Sequence, residues 1–305
     1  MTKLDLNPIS VLRKHGPVGA LKIASCIIHD LFVHYREAYR IRNAVAYINP
    51  SEDDFNTIET ALSELGISMC DLYVDIEHFK AFKNEFVFSK HYIGEISDEV
   101  RDEKLFEHFL AYTMLELDAY GEADMYLDIA AGSSPWAHML RYRRGINAYA
   151  IDFRVIEDFK PLGFYVAGDA TAMAFESGIF RGASLQCAYE MFAGDADIRL
   201  MNELARVLKK GGKVLIVPLY LHTHYCCYAS KEYYGKGYAD TGSKEYLRAD
   251  CGGVRTSRKY DAYHLKKRVL DQIEEQGMSY RLHVVRNAKE VSKGIYCRYV
   301  LEITK

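Results

Sequence analysis

Leu127-Asp128-Ile129-Ala130-Ala131-Gly132-Ser133-Ser134-Pro135-Trp136 is the stretch that decides the fold. An apolar run, 125–130, carries an acidic residue near its end. Small residues then make a tight turn, and a helix starts. Ser134 suits an N-cap and Pro135 the first helical position, where its missing N–H costs nothing. Small side chains let a ligand come close to the backbone. In a doubly wound sheet, the crevice beyond the carboxyl end of the first strand is where ligands bind.

Outward from this turn, the runs 148–152, 164–167, 183–187 and 213–219 repeat the apolar pattern, and helical segments such as 197–209 separate most of them. Strands alternating with helices predict a parallel sheet covered on both faces. The end of the chain differs. Residues 262–276 read as a helix stopped by Gly277, and 280–286 and 295–303 as two strands with no helix between them, an antiparallel pair. Residues 1–115 read mainly as helices: 18–33, 58–65 and 102–119 have apolar residues at helical spacing. The expected organisation is a helical N-terminal cap over 1–115 and a core over 116–305. An insertion at 220–261, rich in Tyr, Gly and Lys, fits neither pattern.

The 305 residues include 39 Lys+Arg and 42 Asp+Glu, a formal net charge of −3, with 49% apolar and 27% charged residues. This excludes collagen-like, mucin-like and wholly disordered chains, and gives no general pull towards nucleic acid. Seven cysteines without a Cys-x-x-Cys argue against a disulfide framework and for a reducing, cytoplasmic setting. The first ten residues lack the pattern of a signal peptide. The 18–33 stretch is broken by Lys22, His29 and Asp30, so stable membrane insertion is not expected; an interfacial helix is the membrane reading it allows. Tyrosines number 24, against 14 Phe and one Trp, and nine of them fall between 220 and 263. Their flat bodies and polar tips suit half-buried, hydrogen-bonding positions.

Asp128, Ala130, Gly132 and Ser134 occupy the acidic and three glycine positions of a D/E-x-G-x-G-x-G turn, with only the central glycine kept. The dinucleotide pattern G-x-G-x-x-G fits poorly, meeting Ala130, Gly132 and Pro135. Asp152 ends the second strand, Gly168-Asp169-Ala170 follows the third, and Cys187-Ala188-Tyr189-Glu190-Met191-Phe192 follows the fourth. Residues 203–217 read as a helix, a Gly-Gly turn and the fifth strand. Together 122–219, and 262–303 by pattern, resemble the class I S-adenosylmethionine-dependent methyltransferases. The resemblance implies a Rossmann-like, mostly parallel seven-stranded α/β sheet with an antiparallel terminal strand, and S-adenosyl-L-methionine as cofactor. It implies Asp128, Ala130, Gly132, Ser134, Asp152, Asp169, Ala170 and Tyr189 at the cofactor. Asp152 would bind the ribose hydroxyls, since a carboxylate accepts two O–H donors, and Asp169 would meet the adenine amino group. Met191 stands where the family often has His.

Transfer from a sulfonium is an in-line displacement, so alignment matters most. A hydroxyl acceptor also needs a general base. The acceptor belongs over the ends of the fourth and fifth strands. Glu190, His222 and His224 are the catalytic candidates there. His222, His224 and Cys226 alternate, and an extended chain would point them to one side. No acidic partner or finger spacing accompanies them, so no metal is expected. Tyr92 and the charged run 101–104 precede the helix leading into the core, and Glu103, Lys104 and His108 are candidates for a lid, or simply a solvated face. Arg255, Arg258, Lys259, Lys266, Lys267 and Arg268 form the one basic cluster, fit for an anion on a small acceptor or for a solvated helix face. Ala188-Tyr189-Glu190-Met191 replaces the Asn/Asp-Pro-Pro-Tyr/Phe of DNA amino-methylating enzymes, so the expected partner is a small molecule and not nucleic acid. Residues 103–109, 218–220 and 257–261 are similar to methyltransferases encoded among surface-glycan genes, which implies O-methylation of a sugar or sugar nucleotide. The competing reading is a cofactor-binding module without methyl transfer, motivated by the lost glycines at Ala130 and Ser134. The sequence leaves the oligomeric state open.

Overall fold

The computed structural model of the chain describes residues 8–89, Tyr92 and residues 98–305. Helix α1 (Pro8–Arg42) is broken at Gly16, whose φ of 67° suits glycine alone, and Pro17 opens its second part. Helix α2 (Glu52–Glu64) starts from a capping box: Ser51 Oγ accepts from the Asp54 N–H, and the Asp54 carboxylate accepts from the Ser51 N–H. Strand β1 (Met69–Leu72), helix α3 (Ile76–Glu85) and helix α4 (Asp98–Met114) follow. The alternating part comprises β2 (Met125–Ile129), α5 (Trp136–Arg144), β3 (Asn147–Asp152), β4 (Tyr165–Ala167), β5 (Phe180–Gln186), α6 (Ala196–Val207) and β6 (Leu208–Leu219). The insertion supplies β7 (Cys226–Ala229), β8 (Lys244–Leu247) and β9 (Ser257–Lys259). A helical stretch then runs through Ala262–Leu265, a π-helical turn at Lys266–Leu270 and Asp271–Glu275, before β10 (Ser279–Val285) and β11 (Tyr299–Thr304).

The main sheet has the order β1-β10-β11-β6-β5-β2-β3-β4. Only β11 runs against its neighbours, antiparallel to both β10 and β6. This is the Rossmann-like, mostly parallel architecture, with one difference: among the described residues the sheet has eight strands, not seven. The extra strand is β1, a parallel edge strand on β10. It comes from the region read as helical. Met-Cys-Asp-Leu is too short and too mixed to show a period of two, and its residues are half-buried or exposed. The insertion forms its own sheet, ordered β8-β7-β9.

Two apolar layers cover the main sheet. One joins α2, α6 and the last helical stretch to the strands. The other joins α3, α4 and α5 to the opposite face. Trp136 is fully buried in this second layer, its ring 4.8–6.2 Å from the rings of Phe82, Phe86, Phe88, His108 and Tyr112. Its indole N–H donates to Tyr126 Oη at 3.2 Å.

The insertion is fastened by buried charge. Arg258 meets Asp197 of α6 and Asp240, both at 2.5 Å, and donates to Gly194 O at 2.7 Å. Arg268 adds a second pair to Asp197 at 2.7 Å, and Tyr260 Oη donates to the same carboxylate at 2.7 Å.

Trp136→Ala removes the largest ring of the second layer. Its expected cost is about 3–5 kcal/mol, read from urea unfolding followed by circular dichroism. A loss near zero would show that the layer does not depend on it.

Candidate functional site

The chain runs from β2 outward through β3 and β4, then returns to β5 on the other side of β2. The carboxyl ends of β2 and β5 therefore flank the switch point, where such sheets bind ligands. Ala130 and Cys187, just past these ends, both have positive φ, 55° and 51°. Among the described residues only one other non-glycine residue, Glu116, does so. Such a conformation costs an L-residue roughly 1–2 kcal/mol and persists where surroundings over-determine it, often at ligand sites.

The turn itself is organised by Asp152. Its Oδ2 accepts from the Gly132 N–H at 2.9 Å, its Oδ1 from the Arg154 N–H at 3.1 Å, and its carbonyl from the Gly168 N–H at 2.9 Å. One residue thus joins the turn after β2 to the ends of β3 and β4. Gly132 has φ 56° with open space where a Cβ would stand. Ser134 Oγ accepts from the Trp136 N–H at 3.2 Å, but α5 starts at Trp136 with Pro135 as its N-cap, one position later than the sequence pattern places them. Asp169 Oδ1 accepts from the N–H and the hydroxyl of Thr171, both at 2.8 Å, with Ala170 buried beside it. Asp128 is buried, and its Oδ2 has no hydrogen-bond partner among the described residues. Burial, then the charge of Asp152, pushes its carboxyl up to about 8. An orphaned carboxyl oxygen beside an open glycine turn fits a ligand with hydroxyl or cationic donors, as S-adenosylmethionine has. Tyr189 and Glu190 lie buried in the short turn Tyr189–Met191 after β5, the Tyr189 ring stacked 6.1 Å from Tyr260.

A second polar cluster occupies the ends of β5 and β6. Cys187 Sγ lies 3.5 Å from Glu190 Oε1 and 3.5 Å from Tyr220 Oη. Tyr220 stacks on Tyr296 at 6.4 Å, and Lys259 Nζ sits 3.7 Å from the centre of the Tyr220 ring. Lys259 Nζ also donates to Ser257 Oγ at 2.9 Å. Burial lowers the Lys259 ammonium to about 8, against the opposing pull of Glu190 and Cys187. Burial pushes the Cys187 thiol up to about 12, so it stays protonated. Lys104 joins from α4: burial works against its charge, but its pair with Glu107 at 3.0 Å, with Cys187, Tyr296 and Tyr92 nearby, raises it overall. Glu190 Oε2 is buried and has no hydrogen-bond partner among the described residues.

His222 and His224 lie elsewhere, on the insertion. The chain bends at 223–224 instead of running extended. This brings ligand atoms of His222, His224 and Cys226 within 4.8 Å of one another. The ring nitrogens already have partners: both Nδ1 atoms are 3.2 Å from Thr223 Oγ1, and His224 Nε2 is 2.8 Å from Tyr246 Oη. Burial lowers both imidazoles, so they are neutral at pH 7. Of the lid candidates, Glu103 accepts from the Tyr296 and Cys297 N–H groups at 2.7 and 3.3 Å, tying α4 to the approach of β11. His108 bonds Tyr92 Oη at 3.0 Å and stacks on Phe88 and Trp136. The basic cluster is not one surface. Arg258 and Arg268 hold Asp197, Lys266 and Lys267 hold Asp271, and Lys259 alone reaches the polar cluster. Lys259, Tyr220, Tyr296 and Cys187 were not singled out as catalytic from sequence. Strand alternation at Arg258-Lys259, one side chain to each face, was the available signal.

A family model described as a methyltransferase domain matches residues 127–216. No curated protein matches the chain. Among solved structures, the 1,6-didemethyltoxoflavin N1-methyltransferase of Burkholderia thailandensis, crystallised with 1,6-didemethyltoxoflavin and S-adenosylhomocysteine, is 12% identical, over 86% of this chain and 92% of its own, with a TM-score of 0.46. The geranyl diphosphate C-methyltransferase of Streptomyces coelicolor, crystallised with Mg2+, geranyl diphosphate and S-adenosylhomocysteine, is 14% identical, over 82% and 98%, with a TM-score of 0.42.

Two measurements test the turn. Asp152→Ala is expected to weaken S-adenosylhomocysteine at least tenfold, about 1.4 kcal/mol, by calorimetry; unchanged affinity would remove Asp152 from the site. Asp128 has its carboxyl raised from 3.8 to about 8, so its protonated form favours the fold, and that contribution is lost as pH rises through this range. Asp128→Asn should therefore gain thermal stability on the parent chain from pH 5 to pH 9, and a constant difference would count against the buried carboxyl. Residues 127–216 thus carry an S-adenosylmethionine-dependent methyltransferase domain, set within a longer chain.

Proposed function

We propose that the chain transfers a methyl group from S-adenosylmethionine to a hydroxyl of a small polar ring, a sugar or sugar nucleotide, with Glu190 as general base. Glu190 Oε2 carries this reading: it is a buried carboxylate oxygen without a partner among the described residues, just past β5, where the acceptor belongs. Asp128, Gly132, Asp152 and Asp169 would hold the cofactor, which supplies a methyl group already activated by its sulfonium. Glu190 takes the hydroxyl proton as the acceptor oxygen is alkylated. Tyr220 and Tyr296 offer flat apolar faces with polar rims, suited to a ring that is apolar on its faces and hydroxylated at its edge. Lys259 holds an acceptor oxygen through the N–H donors that Ser257 does not occupy. His222 and His224 remain the alternative bases, set on the insertion. The proposal includes a cytoplasmic location, and all seven cysteines are free.

Turnover of labelled S-adenosylmethionine over a panel of sugars and sugar nucleotides tests the reading. Glu190→Gln should lower kcat by about 10²-fold or more with S-adenosylhomocysteine affinity unchanged. If the paired His222→Ala and His224→Ala changes do this instead, the base is misassigned. Cofactor binding without turnover on any acceptor would favour the module that transfers no methyl group. Lys259, lowered to about 8, is charged below that pH and neutral above it. Activity should fall as pH rises through about 8, and Lys259→Arg, whose guanidinium keeps its charge, should abolish that fall.

A further inference from the structure

The second part of α1 carries an apolar stripe that faces away from its own domain. Leu21, Ile28, Leu31, Phe32, Tyr35 and Tyr39 fall on one side of the helix and form a single stripe. All six are 62–75% exposed. Lys22, Ser25, His29, Arg36 and Arg40 form a polar stripe along one flank of it. The helix touches the domain through polar groups near its end: Arg40 donates to Lys231 O at 3.1 Å, and Glu37 pairs with Lys236 at 3.2 Å. The apolar stripe therefore points away from the protein, and an exposed patch of this extent marks an interaction surface.

Its charge says what covers it. Helix α1 has Arg13, Lys14, Lys22, Arg36, Arg40 and Arg42 against Asp30 and Glu37, a net +4 in a chain of net −3. Cations flanking an apolar stripe fit an anionic lipid surface, where long basic side chains reach the headgroups and the stripe sinks among the acyl chains. The Ser10–Arg42 stretch is long and apolar enough to cross a membrane. Lys22, His29, Asp30, Arg36 and Glu37, spread along its length, favour lying in the plane instead. We infer that α1 docks the protein on an anionic membrane surface, apolar stripe down, with the methyltransferase domain on the aqueous side.

Co-sedimentation of the full chain with vesicles of phosphatidylcholine alone, and of phosphatidylcholine mixed with phosphatidylglycerol, tests this. Binding should be at least about tenfold stronger to the mixed vesicles and should weaken with salt. Leu31→Glu with Phe32→Glu should abolish it while leaving helix content and the urea midpoint unchanged. No binding to mixed vesicles, or equal binding by this variant, overturns the proposal. Retention through high salt overturns it in favour of a spanning helix. A dimer in light scattering that the variant dissolves, without vesicle binding, makes a second copy the occupant and overturns it too.

Discussion

The buried contact between Arg258 and the two carboxylates of Asp197 and Asp240 is what the rest of the molecule leans on. Taking charges out of water is expensive, and such a network adds little net stability over well-packed apolar groups. Its value is direction. Two guanidiniums, from Arg258 and Arg268, face two carboxylates, and the Gly194 carbonyl and Tyr260 hydroxyl fill the remaining sites. Only one placement of β9 on α6 satisfies them all. With Arg258 fixed on one face of β9, the pleat sends Lys259 to the other, onto Tyr220. A structural ion pair thereby aims a neighbouring ammonium at the polar cluster.

The turn after β2 uses a comparable economy. Asp152 holds the Gly132 N–H and tops β3, so the segment that would carry the cofactor is tied to the sheet by the same residue expected to bind it. Positive φ at Ala130 and Cys187 puts local strain at both lips of the switch point. Neither residue relaxes it as glycine would, and the paired strands on each side hold the conformation in place.

The parallel core was legible because its signals are local. The apolar run, small-residue turn and capped helix at 127–136 each have a cause within a few residues, and the strand–helix alternation repeats it. β1 was not legible: four mixed residues gain their strand character only from β10, some two hundred positions away. Lys259 was read as part of a basic run because sequence shows charges in a line, while burial and pairing sort them onto different faces. Glu190 was legible from its place after the fourth strand. That its Oε2 lacks a partner is a fact of packing. The bend that gathers His222, His224 and Cys226 likewise depends on Thr223 and Tyr246, not on strand alternation.

Trp136 ties the N-terminal region to the sheet. It starts the helix behind the cofactor turn, yet the rings around it come largely from residues 82–112. In the same layer, Phe106, Phe109 and Leu110 of α4 join Leu215 and Val217 of β6. The N-terminal region is thus not an accessory that recombination can swap freely. A gene fusion or truncation that separated it would bare the part of the sheet face that α3 and α4 cover, and the indole at the root of α5.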